Sequence, residues 1–151
     1  MIALQIENTK EFLSLLLEGS EFDTFRVGSC EVTTFVSFVT DGYRRHVSGE
    51  NADADDRQAG QGSERVLWKE LKATIMQMIR SSSVPGTFSL DLYKYMGRDM
   101  GSVRIAFVEG RFTVTTGYMQ KEFSLDHRGS EDWDDRCQEF FTKNGVIITV
   151  L

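Results

Sequence analysis

The sequence is poor in the residues and segments that would indicate a disulfide scaffold, a metal site or a membrane anchor. Its 151 residues include one proline, two histidines and two cysteines. Cys30 and Cys137 lie far apart and form no CxxC pair, so they predict two reduced thiols. No apolar run approaches the roughly 18 residues of a membrane span, and the N-terminus lacks the basic and apolar regions of a signal peptide. We therefore expect a cytoplasmic protein without a metal, a cofactor or a membrane contact.

Motifs of catalysis are missing as well. The chain has no phosphate-binding glycine loop, no GxGxxG and no HExxH sequence. His127 stands between Asp126 and Arg128, but no serine or cysteine lies in a nucleophile-elbow sequence that would complete a triad. The sequence therefore favours a protein that is not an enzyme.

The charge balance argues against one class of partner. The formal net charge is −6. Proteins that bind nucleic acid without sequence preference depend on lysine and arginine to displace counterions from phosphates. We therefore do not expect a general nucleic-acid binder.

A single stretch, residues 48–62, differs from the rest because it contains no large apolar residue. Such a segment cannot offset its ordering entropy by burial, so we expect a mobile acidic loop within one domain that spans residues 1–151. Asn51, Asp53 and Asp55 have the spacing of the first ligands of an EF-hand. Asp56 and Gly62, however, replace the turn glycine and the bidentate glutamate of that motif, so a calcium site is not predicted.

Residues 87–125 are predicted to form a β-meander, because apolar and polar residues alternate with the period of a half-buried strand. Glycines at 97, 101 and 110 supply the turns. The predicted apolar face of the meander comprises Phe88, Leu90, Leu92, Val103, Ile105, Phe107, Phe112, Val114, Phe123 and Leu125.

The remaining elements follow from helical and strand periodicity. Asn8 is predicted to cap a first helix with Glu11 in a capping box, and further helices are expected from Ser63 to about Arg80 and from Gly129 to about Lys143. Strands are predicted at residues 2–6, 22–27, 30–40 and 146–151, with a hairpin at residues 41–42. The predicted class is α+β, with an antiparallel or mixed multi-stranded sheet and about three helices packed mainly on one face.

Two sets of residues are candidates for binding. The first is the face of the meander that points away from the apolar residues, where tyrosine and arginine provide large contact areas with polar tips. Its members are Tyr93, Tyr95, Arg104, Arg111, Thr113 and Thr115. The second set is Arg44, Arg45 and His46, a short cationic run that is suited to an anion.

These sets support three hypotheses. The first is a non-enzymatic binding or interaction module, associating with a protein partner or with itself through the Tyr/Arg sheet face. The alternative is a protein or enzyme that binds a small anionic ligand through the arginines. The second alternative is a nucleic-acid-linked regulator of the antitoxin type.

Part of the chain resembles an uncharacterised family of small proteins from clostridial and related anaerobic bacteria. The resemblance lies in residues 1–4, the helix at 10–13, residues 22–25, the strand at 33–42 and the helix around Trp68. It implies a bacterial cytoplasmic protein and no known activity, so it assigns no catalytic residues.

Overall fold

The computed structural model describes residues 1–45, 65–80 and 86–151. The expected acidic loop at 48–62, the calcium-like residues within it, His46 and Ser63 lie outside these ranges. The elements in chain order are β1 (Ala3–Ile6), α1 (Thr9–Leu17), β2 (Arg26–Thr33), β3 (Ser37–Thr40), α2 (Trp68–Arg80), β4 (Thr87–Met96), β5 (Asp99–Val108), β6 (Arg111–Met119), α3 (Arg128–Lys143) and β7 (Ile148–Val150).

The strands form one antiparallel sheet in the order β3-β2-β4-β5-β6-β1-β7. The predicted α+β class and three helices are confirmed in the described part of the chain. The central strands β4, β5 and β6 are the predicted meander. Glu109 and Gly110 join β5 to β6 with φ angles of 54° and 79°, which is the left-handed pair that a tight two-residue hairpin requires.

The helices cover one face of this sheet. Strand residues that alternate along the sheet, such as Leu90, Ile105 and Val114, belong to the same buried cluster as residues of α1, α2 and α3. Trp68 Nε1 of α2 donates to the Leu16 carbonyl of α1 at 2.8 Å, which joins two helices. Trp133 Nε1 of α3 donates to the Ser102 carbonyl of β5 at 3.1 Å, which joins a helix to the sheet. Both indoles are buried with their N–H groups hydrogen-bonded, so their large apolar surfaces stabilise the packing without leaving a polar atom unpaired.

The last part of the predicted meander is wrong. The strand β6 ends at Met119, and Phe123 and Leu125 are 93% and 81% exposed. The edge of β6 is already occupied by β1, with Leu4 opposite Val114. A further strand after β6 therefore has no neighbour to pair with, and alternation alone cannot reveal this.

The predicted strand at 30–40 is instead a hairpin. The chain turns at residues 34–36, where the Thr34 amide donates to the Val36 carbonyl at 2.9 Å, and β3 returns beside β2 at the edge of the sheet. The predicted short strand at 22–27 is also wrong at its start, since residues 21–24 form turns before β2 begins. Phe22 and Phe25 are nevertheless buried.

Two further predictions on strands need correction. The expected hairpin at Asp41-Gly42 does not return along β3 in the described residues, because Tyr43 forms an isolated bridge with Arg65. Gly42, at φ 80°, lies against the Val27 carbonyl and leaves no room for a Cβ. The final strand β7 is three residues long and mostly exposed, where a largely buried strand was predicted.

The predicted capping box at Asn8 is absent, although α1 begins after it. The side-chain Nδ2 of Asn8 instead donates to the Gly145 carbonyl, and Asn8 Oδ1 accepts from the backbone amide of Ile147, both at 2.8 Å. Asn8 therefore ties the start of α1 to the chain that follows α3. It is Glu70 that reaches back to a helix start, accepting from the Leu67 amide at 2.8 Å.

Candidate functional site

The face of the sheet opposite the described helices carries most of the residues predicted for binding. We call it the open face. It comprises Ala3, Gln5, Ser29, Glu31, Ser89, Asp91, Tyr93, Tyr95, Ser102, Arg104, Ala106, Arg111, Thr113 and Thr115.

Two rows of the open face carry small side chains. The register places Ser89, Ala106 and Thr113 side by side on β4, β5 and β6. Two rows away, beyond the row that contains Asp91 and Arg104, Ser102 lies opposite Gly117. Small side chains here leave a smooth platform, above which the larger Tyr93, Tyr95 and Arg104 stand.

Arg104 is fixed on this platform by a carboxylate. Its Nε and Nη2 donate to Asp91 at 2.7 and 3.3 Å, and the Ser29 hydroxyl donates to the same carboxylate at 3.1 Å. Hydrogen bonding to Asp91 raises the pKa of Arg104 above its ordinary value. The arginine side chain is 67% exposed whereas Asp91 is 16% exposed, so the guanidinium is presented to solvent from an anchored position.

Tyr93 is held by close packing on both sides. Its ring lies over Gly28, where an added Cβ would be 2.6 Å from the ring. The Arg65 guanidinium lies 5.1 Å from the centre of the Tyr93 ring and 4.3 Å from that of Tyr43. Stacking of this kind fixes the orientation of both tyrosines.

Arg65 was not predicted, although it organises this end of the open face. Its Nη1 donates to the carbonyls of Gly28 and Asp41 at 2.9 and 3.2 Å, and its Nη2 donates to the Tyr43 hydroxyl at 2.9 Å. Arginine matches several carbonyls at once through its planar fork. No local pattern in the sequence distinguishes Arg65 from other arginines, since its partners come from β2 and the residues after β3.

The remaining arginines predicted for binding are not brought together. Arg104 lies opposite Thr115 and Arg111 lies opposite Val108, four positions apart along β5, or about 13 Å. Arg44 donates to Glu70 at 2.8 and 2.9 Å, and Arg45 donates to Asp41 at 2.8 Å. The hydrogen bond from the Leu67 backbone amide, followed by that from Arg44, lowers the pKa of Glu70.

The described residues also bear on covalent and metal chemistry. Cys30 and Cys137 are buried, and burial raises the pKa of each thiol to about 12, which leaves both protonated and poorly nucleophilic near neutral pH.

Asp126 bonds Arg128 and so does not orient His127. Among the described residues no group of three or more His, Cys, Asp or Glu side chains is placed to hold a metal ion, and none of their helices is long and apolar enough to cross a membrane.

Comparison with known proteins gives one match. The model of a family of unknown function, DUF5721, matches residues 15–102. This is more than half of the chain, so the chain belongs to that family, in agreement with the expected resemblance to an uncharacterised family. No curated protein and no solved structure matches the chain.

Proposed function

We propose that this chain is a non-enzymatic interaction module that associates with a second copy of itself through the open face. The observation that carries the proposal is a seven-stranded sheet whose three helices, in the described ranges 1–45, 65–80 and 86–151, pack on the same side. The other side presents Arg104, with its side chain 67% exposed, and Tyr95, which is 46% exposed, beside rows of small side chains. Tyrosine and arginine are enriched among the residues that dominate protein interfaces.

The protruding residues are already ordered before any partner arrives. Asp91 fixes Arg104, and Gly28 with Arg65 fixes Tyr93. Immobilising a flexible side chain at an interface costs roughly 0.5–1.5 kcal/mol. Ordering them in the isolated chain reduces that cost.

A second copy fits this face in charge and in area. The Glu31 carboxylate and the Arg111 guanidinium share one surface, and a twofold interface needs such self-complementarity. Seven strands spaced about 4.8 Å apart and about 20 Å long offer roughly 600 Å² of planar area, before side-chain relief is counted. A standard interface buries about 800 Å² per partner.

The test measures the mass of the purified chain in solution. We expect a dimer by sedimentation equilibrium for the unchanged protein, and a monomer for the double variant Arg104→Glu with Tyr95→Ala. The control is Arg128→Glu, which breaks another exposed arginine–carboxylate pair, that with Asp126, away from the open face. It should remain dimeric. A monomer for the unchanged protein at high concentration, or an unaltered mass for the double variant, overturns the proposal.

We also propose the cytoplasm of a clostridial or related anaerobic bacterium as the setting, because the sequence resemblance implies it. Fractionation of native cells with an antibody against the chain tests the location. Recovery in the membrane or secreted fraction would contradict it.

A further inference from the structure

A second region, on the helix-covered side of the sheet, has the properties of a small-ligand site. We call it the aromatic cavity. Its volume is about 150 Å³, and its lining includes Phe22, Phe25, Lys94, Trp133, Arg136 and Phe140. An apolar cavity of about 150 Å³ accommodates a single aromatic ring. All of these residues lie within the described ranges.

One wall of the aromatic cavity is a cluster of rings in mutual contact. The ring centres of Phe22 and Phe140 are 5.1 Å apart and those of Phe22 and Phe25 are 5.6 Å apart, both edge to face, while the tilted rings of Phe25 and Phe140 are 6.2 Å apart. Edge-to-face arrangements at these distances are favourable between aromatic rings. The ring of a ligand in the cavity would pack against this cluster.

Trp133 forms a rigid part of the wall. Its indole lies against Gly101, where an added Cβ would be 2.5 Å from the ring, and its Nε1 donates to the Ser102 carbonyl. The indole therefore cannot swing freely into the cavity. The space is preformed, as ligand pockets usually are.

Two cations line this cavity and neither has a carboxylate partner among the described residues. Lys94 Nζ lies 5.1 Å from the centre of the Phe25 ring, and Arg136 donates to the Met96 sulfur at 3.7 Å. Glu21, the carboxylate that lines the same cavity, forms no ion pair with either. Other arginines of the described chain are each paired to a carboxylate within 3.1 Å, namely Arg44, Arg98, Arg104 and Arg128.

We infer that the aromatic cavity binds a small aromatic carboxylate, with its ring against Phe22, Phe25 and Phe140 and its carboxylate between Lys94 and Arg136. Charge-assisted hydrogen bonds from ammonium and guanidinium groups to carboxylate are stronger than neutral ones. A cationic ligand would meet Lys94 and Arg136 as like charges. The site is independent of the open face, since it lies on the opposite side of the sheet.

Direct binding measurements on the full chain test the ligand class. The probes are benzoate and phenylacetate, with benzyl alcohol as the neutral counterpart and benzylamine as the cationic one. Because Trp133 lines the cavity, its fluorescence reports occupancy, and calorimetry gives the affinity. We expect the carboxylates to bind at least about tenfold more tightly than the alcohol, and the amine not to bind. No binding of the carboxylates, or equal affinity for the carboxylates and the alcohol, overturns the inference.

Variants locate the charge contact. Lys94→Met and Arg136→Met remove the charge while keeping an unbranched apolar stem, and each should weaken carboxylate binding by about tenfold, while binding of benzyl alcohol stays unchanged. The control is Lys121→Met, an exposed lysine outside the cavity, which should bind like the unchanged protein. If the two variants bind benzoate as the control does, the cavity is not the carboxylate site. The oligomeric mass of the chain, which tests the open face, is expected to be the same in all three variants. One proposal can therefore fail while the other stands.

Discussion

The open face and the aromatic cavity both carry cationic side chains and differ in how these cations are partnered. On the open face Arg104 is bonded to Asp91 at 2.7 Å, and in the cavity Lys94 and Arg136 contact a ring and a sulfur. A cation with a carboxylate partner in its own chain offers an interface a side chain of fixed shape and position. Its charge is largely compensated by that partner. A cation without one keeps its charge available to a ligand.

The shapes of the two regions follow the same division. Small residues such as Ser89, Ala106 and Gly117 keep the open face flat, whereas the cavity is concave and lined by large rings. Flat, mixed-charge surfaces of several hundred square ångströms suit macromolecules, and concave apolar spaces with a few polar groups suit small molecules. One sheet thus separates two regions with different binding chemistry.

The largest expected effect comes from removing a wall of the aromatic cavity. Trp133→Ala deletes a ring that is 5% exposed and should lower the free energy of unfolding by about 3–5 kcal/mol, measured by urea denaturation. The control, Phe123→Ala, removes an aromatic ring that is 93% exposed and should change it by no more than about 0.5 kcal/mol. Equal effects from the two variants would mean that Trp133 is not part of the packed core.

An intermediate effect is expected where the open face is most tightly packed. Gly28→Ala places a Cβ 2.6 Å from the Tyr93 ring, which must leave its stack on Arg65, at a cost of about 1–3 kcal/mol in urea denaturation. In the matched variant Gly117→Ala the nearest atom, at 2.5 Å, is the Ser102 hydroxyl oxygen, and this side chain can rotate. Its change should stay within about 0.5 kcal/mol, and a similar loss in both would remove the special role assigned to Tyr93.

The smallest effect distinguishes the partnered cation from the unpartnered one. Arg104→Met breaks an exposed ion pair and should cost at most about 1 kcal/mol in the free energy of unfolding, less at 1 M salt because of screening. Lys94→Met removes no ion pair and should leave this free energy within about 0.5 kcal/mol at either salt concentration. A salt-dependent loss in Lys94→Met would show that Lys94 is paired after all.

The strength of the local patterns explains which parts of the fold could be predicted. Alternation over Phe88, Leu90 and Leu92 placed β4 correctly and put Tyr93 and Tyr95 on its other face. The same alternation fails at Phe123 and Leu125, because pairing depends on whether a neighbouring edge is free, and β1 has taken that edge. Asn8 and Glu11 match the capping-box motif, yet the Asn8 side chain bonds the Gly145 carbonyl, 137 positions away, instead of capping α1.

Two charged residues of the aromatic cavity occupy positions that the sequence pattern assigns to apolar side chains. Lys94 follows Leu92 at the position that period-two alternation assigns to the apolar face, where a charged residue is out of place. Arg136 precedes Cys137 and follows Trp133 by one helical turn on the apolar stripe of α3. These are charged residues at the margin of an apolar surface, and only their approach to each other around one cavity makes them a candidate site.

The sequence by itself determined which side chains lie on each face of the central strands and helices, because alternation and helical periodicity are properties of neighbouring residues. The tertiary structure alone decided which cations are compensated. Strand register brings Asp91 opposite Arg104, and the fold brings Arg65 onto Tyr43 and Tyr93. The same register leaves Lys94 without a carboxylate partner among the described residues. Charge compensation acts through space over a few ångströms, so it depends on the folded register and not on the order of the residues.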